Sequence, residues 1–299
     1  MKGKLKRNEQ LARHTSFRVG GTAQYWAEPR DISDLEKLVV YARDRRIPLR
    51  VIGAGSNILV DHRGVRGIVV KLNSPCFRKI NYAFWDSSVS THNKGYRFFA
   101  VGAGISLARL IRFVYDSGFS GCELLAGIPG TLGGALVMNS GWIGRSVVDV
   151  LVMDKQGRIK TLNNKKIRFA YRSSGLKNFI ILSANLKLIK KNKSIVRKRI
   201  KQYLNYRRQT QDLTRPSAGC IFKNPAAGKA RRSAAYFIEQ CGLKGSCIGD
   251  AVVSSKHANF IVNTGKATYS DIRKLITYVA GNVKKKFKIS LQPEIEIWK

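Results

Sequence analysis

The chain is poor in acid. Its 299 residues hold 18 Asp and Glu against 55 Lys and Arg, a formal net charge of +37. A field of that sign draws polyanions: nucleic acid, anionic lipid and phosphorylated small molecules. Yet the cations are spread along the whole chain, densest at 187–208 and 284–288, and no accepted nucleic-acid-binding motif accompanies them. A Lys/Arg-rich surface is therefore preferred over nucleic-acid binding. Cysteine is also scarce. Cys76, Cys122, Cys220, Cys241 and Cys247 form an odd set with no CxxC and no Cys/His metal spacing. That argues against a disulfide framework or a zinc site and fits a reducing cytosol. Long apolar runs are missing: none approaches the ~20 residues of a membrane span. The basic stretch 1–7 lacks the apolar core of a signal peptide. What is present is an ordinary globular composition, 44% hydrophobic, in a length suited to about two domains.

Apolar spacing predicts a helix over 35–45, capped by Asp31 or Ser33 and stopped by Pro48. Short strands are expected at 49–52, 58–60, 68–70 and 98–101, with a loop or hairpin over 73–97. Ser106 caps a helix that ends at Gly118. Strands at 147–153 and 159–162 pair around a turn, and 180–188 alternates as another strand. The basic, helix-compatible stretch 190–208 marks a domain junction. Beyond it come helices near 234–240 and 269–286 and strands at 259–263 and 289–297.

Two glycine-bearing loops carry the first functional signal. Gly53-Ala54-Gly55-Ser56-Asn57 follows a strand. Glycines there let backbone N–H groups approach and surround a pyrophosphate. A Rossmann fingerprint would continue into a helix, whereas Ile58-Leu59-Val60 continues as strand. The dinucleotide is thus expected on loops. Ala126-Gly127-Ile128-Pro129-Gly130-Thr131-Leu132-Gly133-Gly134-Ala135 packs four glycines and a proline into ten residues, with Asn139 close behind. Gly133-Gly134 would admit a bulky planar ligand, or else tight helix packing. Gly102-Ala103-Gly104 makes a third, shorter loop.

Together with His14-Thr15-Ser16-Phe17-Arg18-Val19-Gly20-Gly21, these loops resemble the UDP-N-acetylenolpyruvoylglucosamine reductase family, flavoproteins of the vanillyl-alcohol-oxidase/p-cresol-methylhydroxylase fold. The likeness runs from about residue 14 to 297. It implies an α+β (α/β) architecture. An FAD-binding portion of two subdomains, 1–72 and 73–190, precedes a C-terminal α+β substrate-binding domain at 200–299. It also implies FAD as cofactor, NADPH as hydride donor and UDP-N-acetylglucosamine enolpyruvate as substrate. No metal, nucleic-acid partner or membrane span is expected, and the protein is expected to be a cytoplasmic monomer of peptidoglycan precursor synthesis. FAD contacts are implied at Gly53, Ala54, Gly55, Ser56 and Asn57, at Gly127, Ile128, Pro129, Gly130, Thr131, Gly133 and Gly134, and at Asn139.

The family's reaction adds hydride to an enolpyruvyl ether. Negative charge then develops on the carboxylate side and needs stabilisation, and the neighbouring carbon needs a proton. Arg172, in Phe169-Ala170-Tyr171-Arg172-Ser173-Ser174, matches the family's catalytic Arg, a permanently charged fork suited to a carboxylate. Glu294, after Pro293, matches the catalytic Glu, either stabilising the enolate or orienting Arg172. Glu296 shares its strand face and reads as a salt-bridge partner. Cys220 stands where the family commonly has Ser, in an otherwise intact Pro216-Ser217-Ala218-Gly219-Cys220-Ile221-Phe222-Lys223-Asn224-Pro225. The role carried over is proton donor to the enolate. A thiol, with a reference pKa of ~8.5, releases its proton more readily than a serine hydroxyl, though it is a weaker hydrogen-bond donor. The alternative is a buried cysteine acting as a small hydrophobe.

Lys223 matches a position that meets a diphosphate, and Asn224 one that meets sugar or uracil. Arg208 either contacts phosphate or lies on a solvated basic face. His257 and Asn259, in Ser255-Lys256-His257-Ala258-Asn259-Phe260-Ile261-Val262-Asn263, resemble a family segment near the substrate, with a structural role left open. The short link 188–216 resembles the variant without a tyrosine-bearing lid, and Gln211-Asp212 departs from the expected Gln-Pro. Two rival readings remain. Another flavin oxidoreductase of the same fold is opposed by the 220–225 motif and Pro293-Glu294. A nucleic-acid binder rests on charge alone.

Overall fold

Local chemistry sets most element boundaries. In the computed structural model, which describes residues 2–83, 95–225 and 232–299, the chain opens with strands β1 (Lys4–Gln10) and β2 (Thr22–Glu28). The Asp31 carboxylate accepts from the Asp34 N–H and starts helix α1 (Ile32–Asp44). Strands β3 (Leu49–Ile52), β4 (Ile58–Val60), β5 (Val65–Lys71), β6 (Ile80–Tyr82) and β7 (Tyr96–Gly102) follow. Ser106 caps α2 (Leu107–Ser117), and Gly118 closes it at φ 71°. Next come β8 (Phe119–Ser120), α3 (Leu132–Val137), β9 (Val147–Met153), β10 (Ile159–Asn163), β11 (Ile180–Lys190) and α4 (Lys193–Thr210). The last part holds β12 (Ser217–Cys220), α5 (Ala234–Gln240), β13 (Cys247–Ile248), β14 (Ala251–Val253), β15 (Phe260–Asn263), α6 (Tyr269–Phe287) and β16 (Glu296–Trp298).

The chain forms two compact units. Unit 1 comprises Met1–Arg7, Tyr25–Ala54 and Gly67–Tyr206, and unit 2 comprises Asn8–Gln24, Gly55–Arg66 and Arg207–Lys299. In unit 1, a sheet in the order β1-β2-β5-β3 has β3 and β5 parallel. The boundary between the units falls inside β1, β2 and β5. A second, antiparallel sheet runs β10-β9-β11-β7-β6, with β8 on β11. Alternation in β11 buries Leu182, Ala184, Leu186 and Leu188. They join one core with Leu107, Leu110, Ile111 and Val114 of α2 and with Val196 and Ile200 of α4. The spacing of those α2 residues is that of a single helix face, and each large side chain so buried contributes about 1.5–3 kcal/mol.

Unit 2 is built on the antiparallel sheet β12-β15-β14-β13. Helix α6 opens with a capping box between Thr268 and Asp271. It buries Ile272, Leu275, Ile276, Val279 and Val283 in one core with Phe237 and Ile238 of α5. Strands β16 and β4 pair in parallel, Glu296 opposite Ile58 and Trp298 opposite Val60.

Three expectations change in detail. The last strand was expected over 289–297, but only Glu296–Trp298 joins a ladder. Pro293, which has no N–H to donate, makes an isolated bridge with Phe222 instead. The glycine-rich loop is partly helical, because Thr131 caps α3 within it. Within 73–97, β6 pairs with β7, Ile80 opposite Val101, and the positions 84–94 lie outside the described residues. Among the described residues no helix is long and apolar enough to cross a membrane.

Candidate functional site

In unit 1 the glycine-bearing loops meet. A Cβ at Gly53 would fall 2.6 Å from Thr131 Oγ1. The Leu107 N–H donates to the Gly130 carbonyl at 2.9 Å, the Leu132 N–H to Ile105 at 3.0 Å, and the Gly133 N–H to Ala103 at 2.8 Å. The loops at 53, 103–107 and 127–134 therefore form one surface. Its two adjacent glycines differ in what requires them. A Cβ at Gly133 would lie 3.2 Å from the Ala103 Cβ, so packing accounts for it. A Cβ at exposed Gly134 would meet only Thr131 Oγ1, at an ordinary 3.6 Å. Glycine in a helix costs about 0.5–1 kcal/mol relative to alanine. With no internal reason for that cost, the bare face of α3 fits a bulky ligand lying against the backbone.

Arg172 sits on the tip of a tight turn fastened to the same region. Ala170 and Ser173 exchange backbone hydrogen bonds of 3.0 and 3.3 Å. Between them Arg172 takes φ +52°, a left-handed conformation uncommon outside glycine and one that gathers at functional sites. Its guanidinium lies 5.7 Å from the Tyr171 ring centre. Asn139 holds the turn: its Nδ2 donates to the Ala170 carbonyl at 3.1 Å, and its Oδ1 accepts from the Gly144 N–H at 3.1 Å. Ser174 Oγ adds a 3.0 Å bond to the Val137 carbonyl. The buried carboxamide of Asn139 thus links the loop after α3 to the turn that carries Arg172.

The chain passes from unit 1 to unit 2 between Ala54 and Gly55. Gly55 has φ +66°, and a Cβ there would fall 1.9 Å from the His14 carbonyl. The Ser16 N–H and Oγ both donate to the Gly55 carbonyl, at 3.1 and 3.2 Å. These bonds fasten the 14–21 segment to this loop. Asn57 Nδ2 donates to the Glu294 carbonyl at 3.2 Å, and the Glu296 N–H donates to the Asn57 carbonyl at 2.9 Å. The loop and the segment bearing Glu294 are therefore tied directly.

The 216–225 motif is arranged around one residue, Ile221. Gly219, at φ +74°, sits where the register of β12 against β15 shifts. The Ile221 N–H donates to the Asn259 carbonyl at 2.9 Å, while the Ile221 carbonyl accepts from the Glu294 N–H at 2.7 Å. The Lys223 N–H donates to the Gln292 carbonyl at 2.9 Å. Cys220, Lys223 and Glu294, all half-buried, are so gathered around Ile221. Asn224 is exposed, and its Oδ1 accepts from the Ala234 N–H at 3.0 Å, beside the start of α5. Arg208 is exposed near the end of α4, where its carbonyl takes a hydrogen bond from Lys256 Nζ.

His257 Nδ1 accepts from the Asn259 N–H at 3.2 Å, which assigns the proton of the neutral ring to Nε2. Burial pushes the imidazole below its ordinary pKa. Asn259 is buried, and its carboxamide brackets Phe222, Oδ1 accepting from the N–H at 2.9 Å and Nδ2 donating to the carbonyl at 2.8 Å. Asp212, where Pro was expected, fixes its turn through the side chain. It accepts from the Thr214 N–H at 3.2 Å, from Thr214 Oγ1 at 2.9 Å and from Ser254 Oγ at 3.3 Å. Burial alone would raise its pKa, but those bonds and Arg215 hold it low. The Asp-x-Thr spacing was the available signal.

Known proteins resemble the chain along its whole length. Residues 23–163 match the FAD binding domain family. Residues 211–298 match the C-terminal domain of UDP-N-acetylenolpyruvoylglucosamine reductase. The UDP-N-acetylenolpyruvoylglucosamine reductase of Caldanaerobacter subterraneus subsp. tengcongensis is 40% identical, over 99% of this chain and 94% of its own. That of Anoxybacillus flavithermus is 38% identical over the same shares. The crystal structure of UDP-N-acetylenolpyruvylglucosamine reductase from Thermus caldophilus superposes with a TM-score of 0.79 at 31% identity, covering 100% of both chains. The expected α+β FAD-binding fold is borne out.

Proposed function

The chain belongs to the UDP-N-acetylenolpyruvoylglucosamine reductase family, and from that membership we propose the chemistry of its sites. The protein is an FAD-dependent oxidoreductase that uses NADPH to convert UDP-N-acetylglucosamine enolpyruvate to UDP-N-acetylmuramate in peptidoglycan precursor synthesis. It acts as a cytoplasmic monomer. Residues 1–72 and 73–190 serve cofactor binding and 200–299 serve substrate binding, with 8–24 and 55–66 compact with the latter. Gly53 to Asn57 and Gly127 to Gly134 hold FAD, whose bare wall is Gly134. Asn139 acts on the same site through the Arg172 turn.

FAD, when bound, supplies a hydride taken from NADPH to the terminal carbon of the enolpyruvyl group. The Arg172 guanidinium meets the charge that then develops on the substrate carboxylate, a cation whose charge does not depend on working pH. Glu294 stabilises the same enolate or orients Arg172. The Cys220 thiol delivers the proton to the adjacent carbon and recovers one from solvent. Lys223 binds the diphosphate, Asn224 the sugar or uracil, and Arg208 adds a phosphate contact.

The observation that carries this reading is the 2.7 Å bond from the Glu294 N–H to the Ile221 carbonyl. It ties the segment bearing the acid to the residue after the thiol. The test is anaerobic. Purified protein is mixed with NADPH and then with the enolpyruvyl sugar nucleotide while flavin absorbance is followed. Bleaching followed by stoichiometric return supports the assignment, and bleaching without return on that substrate refutes it.

A further inference from the structure

We propose that Asn259 is a positioning residue for the proton-transfer step, acting through the Phe222 peptide. The inference rests on the reading of Cys220 as donor. Three observations lead to it. The ladder between β12 and β15 ends at Cys220 opposite Phe260. On the other side, the bridge between Phe222 and Pro293 is made by the groups of Ile221 and Lys223, not by those of Phe222. The N–H and carbonyl of Phe222 instead face the Asn259 carboxamide, which offers an acceptor and a donor at 2.9 and 2.8 Å.

A carboxamide is the side chain closest in chemistry to a peptide group. It takes the place of the strand partner that β15 does not provide at this point. The Asn259 backbone carbonyl also accepts from the Ile221 N–H at 2.9 Å, so this residue makes one hydrogen bond to each of the three peptides between Cys220 and Lys223. Asn259 is 3% exposed and Phe222 2% exposed. Water therefore does not readily replace a bond that is removed, and leaving it unmade carries the full desolvation cost. The orientation of the 221–223 segment, and with it the placement of the Cys220 thiol relative to Glu294, depends on the carboxamide. Proton transfer needs the donor within hydrogen-bond reach of its acceptor, so a small rotation here acts on the half-reaction with the enolpyruvyl substrate and not on flavin reduction by NADPH. Aspartate cannot substitute: ionised, it only accepts, and one oxygen would face the Phe222 carbonyl.

The experiment separates the two half-reactions in the FAD-loaded enzyme by stopped flow, comparing parent, Asn259→Asp, Asn259→Ser and Cys220→Ala. With either Asn259 variant, flavin reduction by NADPH is expected within about twofold of parent. Flavin return on the enolpyruvyl substrate is expected at least tenfold slower, with a larger solvent deuterium isotope effect. Iodoacetamide labelling of Cys220, followed by mass spectrometry, should become several-fold faster, while exposed Cys76 keeps its rate as internal control. Asn259→Ser, which creates no buried carboxylate, carries the test if Asn259→Asp does not fold. Equal slowing of both half-reactions, or an unchanged return step and isotope effect, overturns the inference. If Cys220→Ala returns its flavin at the parent rate, the donor reading itself fails. If that variant is slow while both Asn259 variants are not, the positioning role alone is lost.

Discussion

Replacing Gly134 by alanine should push stability and cofactor affinity in opposite directions. The position is the third residue of α3, and its φ is not among the left-handed ones, so an L-residue adopts it without strain. The added methyl would have Thr131 Oγ1 at 3.6 Å as its nearest neighbour. Alanine should then stabilise the FAD-free protein by about 0.5–1 kcal/mol, a rise in Tm of about 1–4 °C. In the FAD-loaded protein the same methyl projects into the space assigned to the cofactor. Overpacking costs about 1–3 kcal/mol, which weakens FAD roughly 5- to 150-fold. Thermal unfolding of apoprotein and fluorescence titration of FAD into it measure the two terms. Gly133→Ala serves as contrast: its methyl would press on Ala103 at 3.2 Å, so it should destabilise the apoprotein as well. If Gly134→Ala raises the apoprotein Tm and leaves the FAD Kd unchanged, the face of α3 is not a cofactor wall. A fall in apoprotein Tm would refute the packing argument.

Other outcomes follow from single groups. Cys220→Ser should retain most turnover, while Cys220→Ala should lose about 10²–10⁴-fold in the return of oxidised flavin, the usual worth of a positioned proton donor. Alkylation of Cys220 that left turnover intact would sink that role. Asp61 is held at about 2 by the Arg63 side chain, below its ordinary 3.8. A carboxylate lowered on folding stabilises the protein fully above its unfolded value and loses that contribution as pH falls from about 3.8 to about 2. Acid unfolding of Asp61→Asn should accordingly be shallower across that window. His257 acts in the same direction at higher pH: burial lowers it from 6.5, so the unfolded chain takes up its proton first and stability declines as pH drops below 6.5. His257→Asn should flatten the denaturation midpoint just below that pH, and an unchanged slope would show the ring to be solvated.

Much of this protein was determined by sequence alone, for physical reasons that act within a few residues. Asp31, Ser106 and Gly118 bound their helices because capping and left-handed closure are local events. The glycine loops and the 216–225 motif were legible because backbone approach to a ligand and side-chain chemistry leave marks on residue type. Strand β1, by contrast, reads as charged and polar, Lys4–Gln10, and carries no apolar alternation to announce it. The partner of β4 was also invisible: Ile58–Val60 follows a loop and would be matched to the next strand, yet it pairs with Glu296–Trp298 from the other end of the chain. Only tertiary structure decided that Asn57 would hold Glu294, that Asn139 would anchor the Arg172 turn, and that Asn259 would stand in for a missing strand. Each is an asparagine whose neighbours lie 31 to 237 residues away. A carboxamide can serve any backbone group that arrives, so its residue type alone does not say which one it will meet.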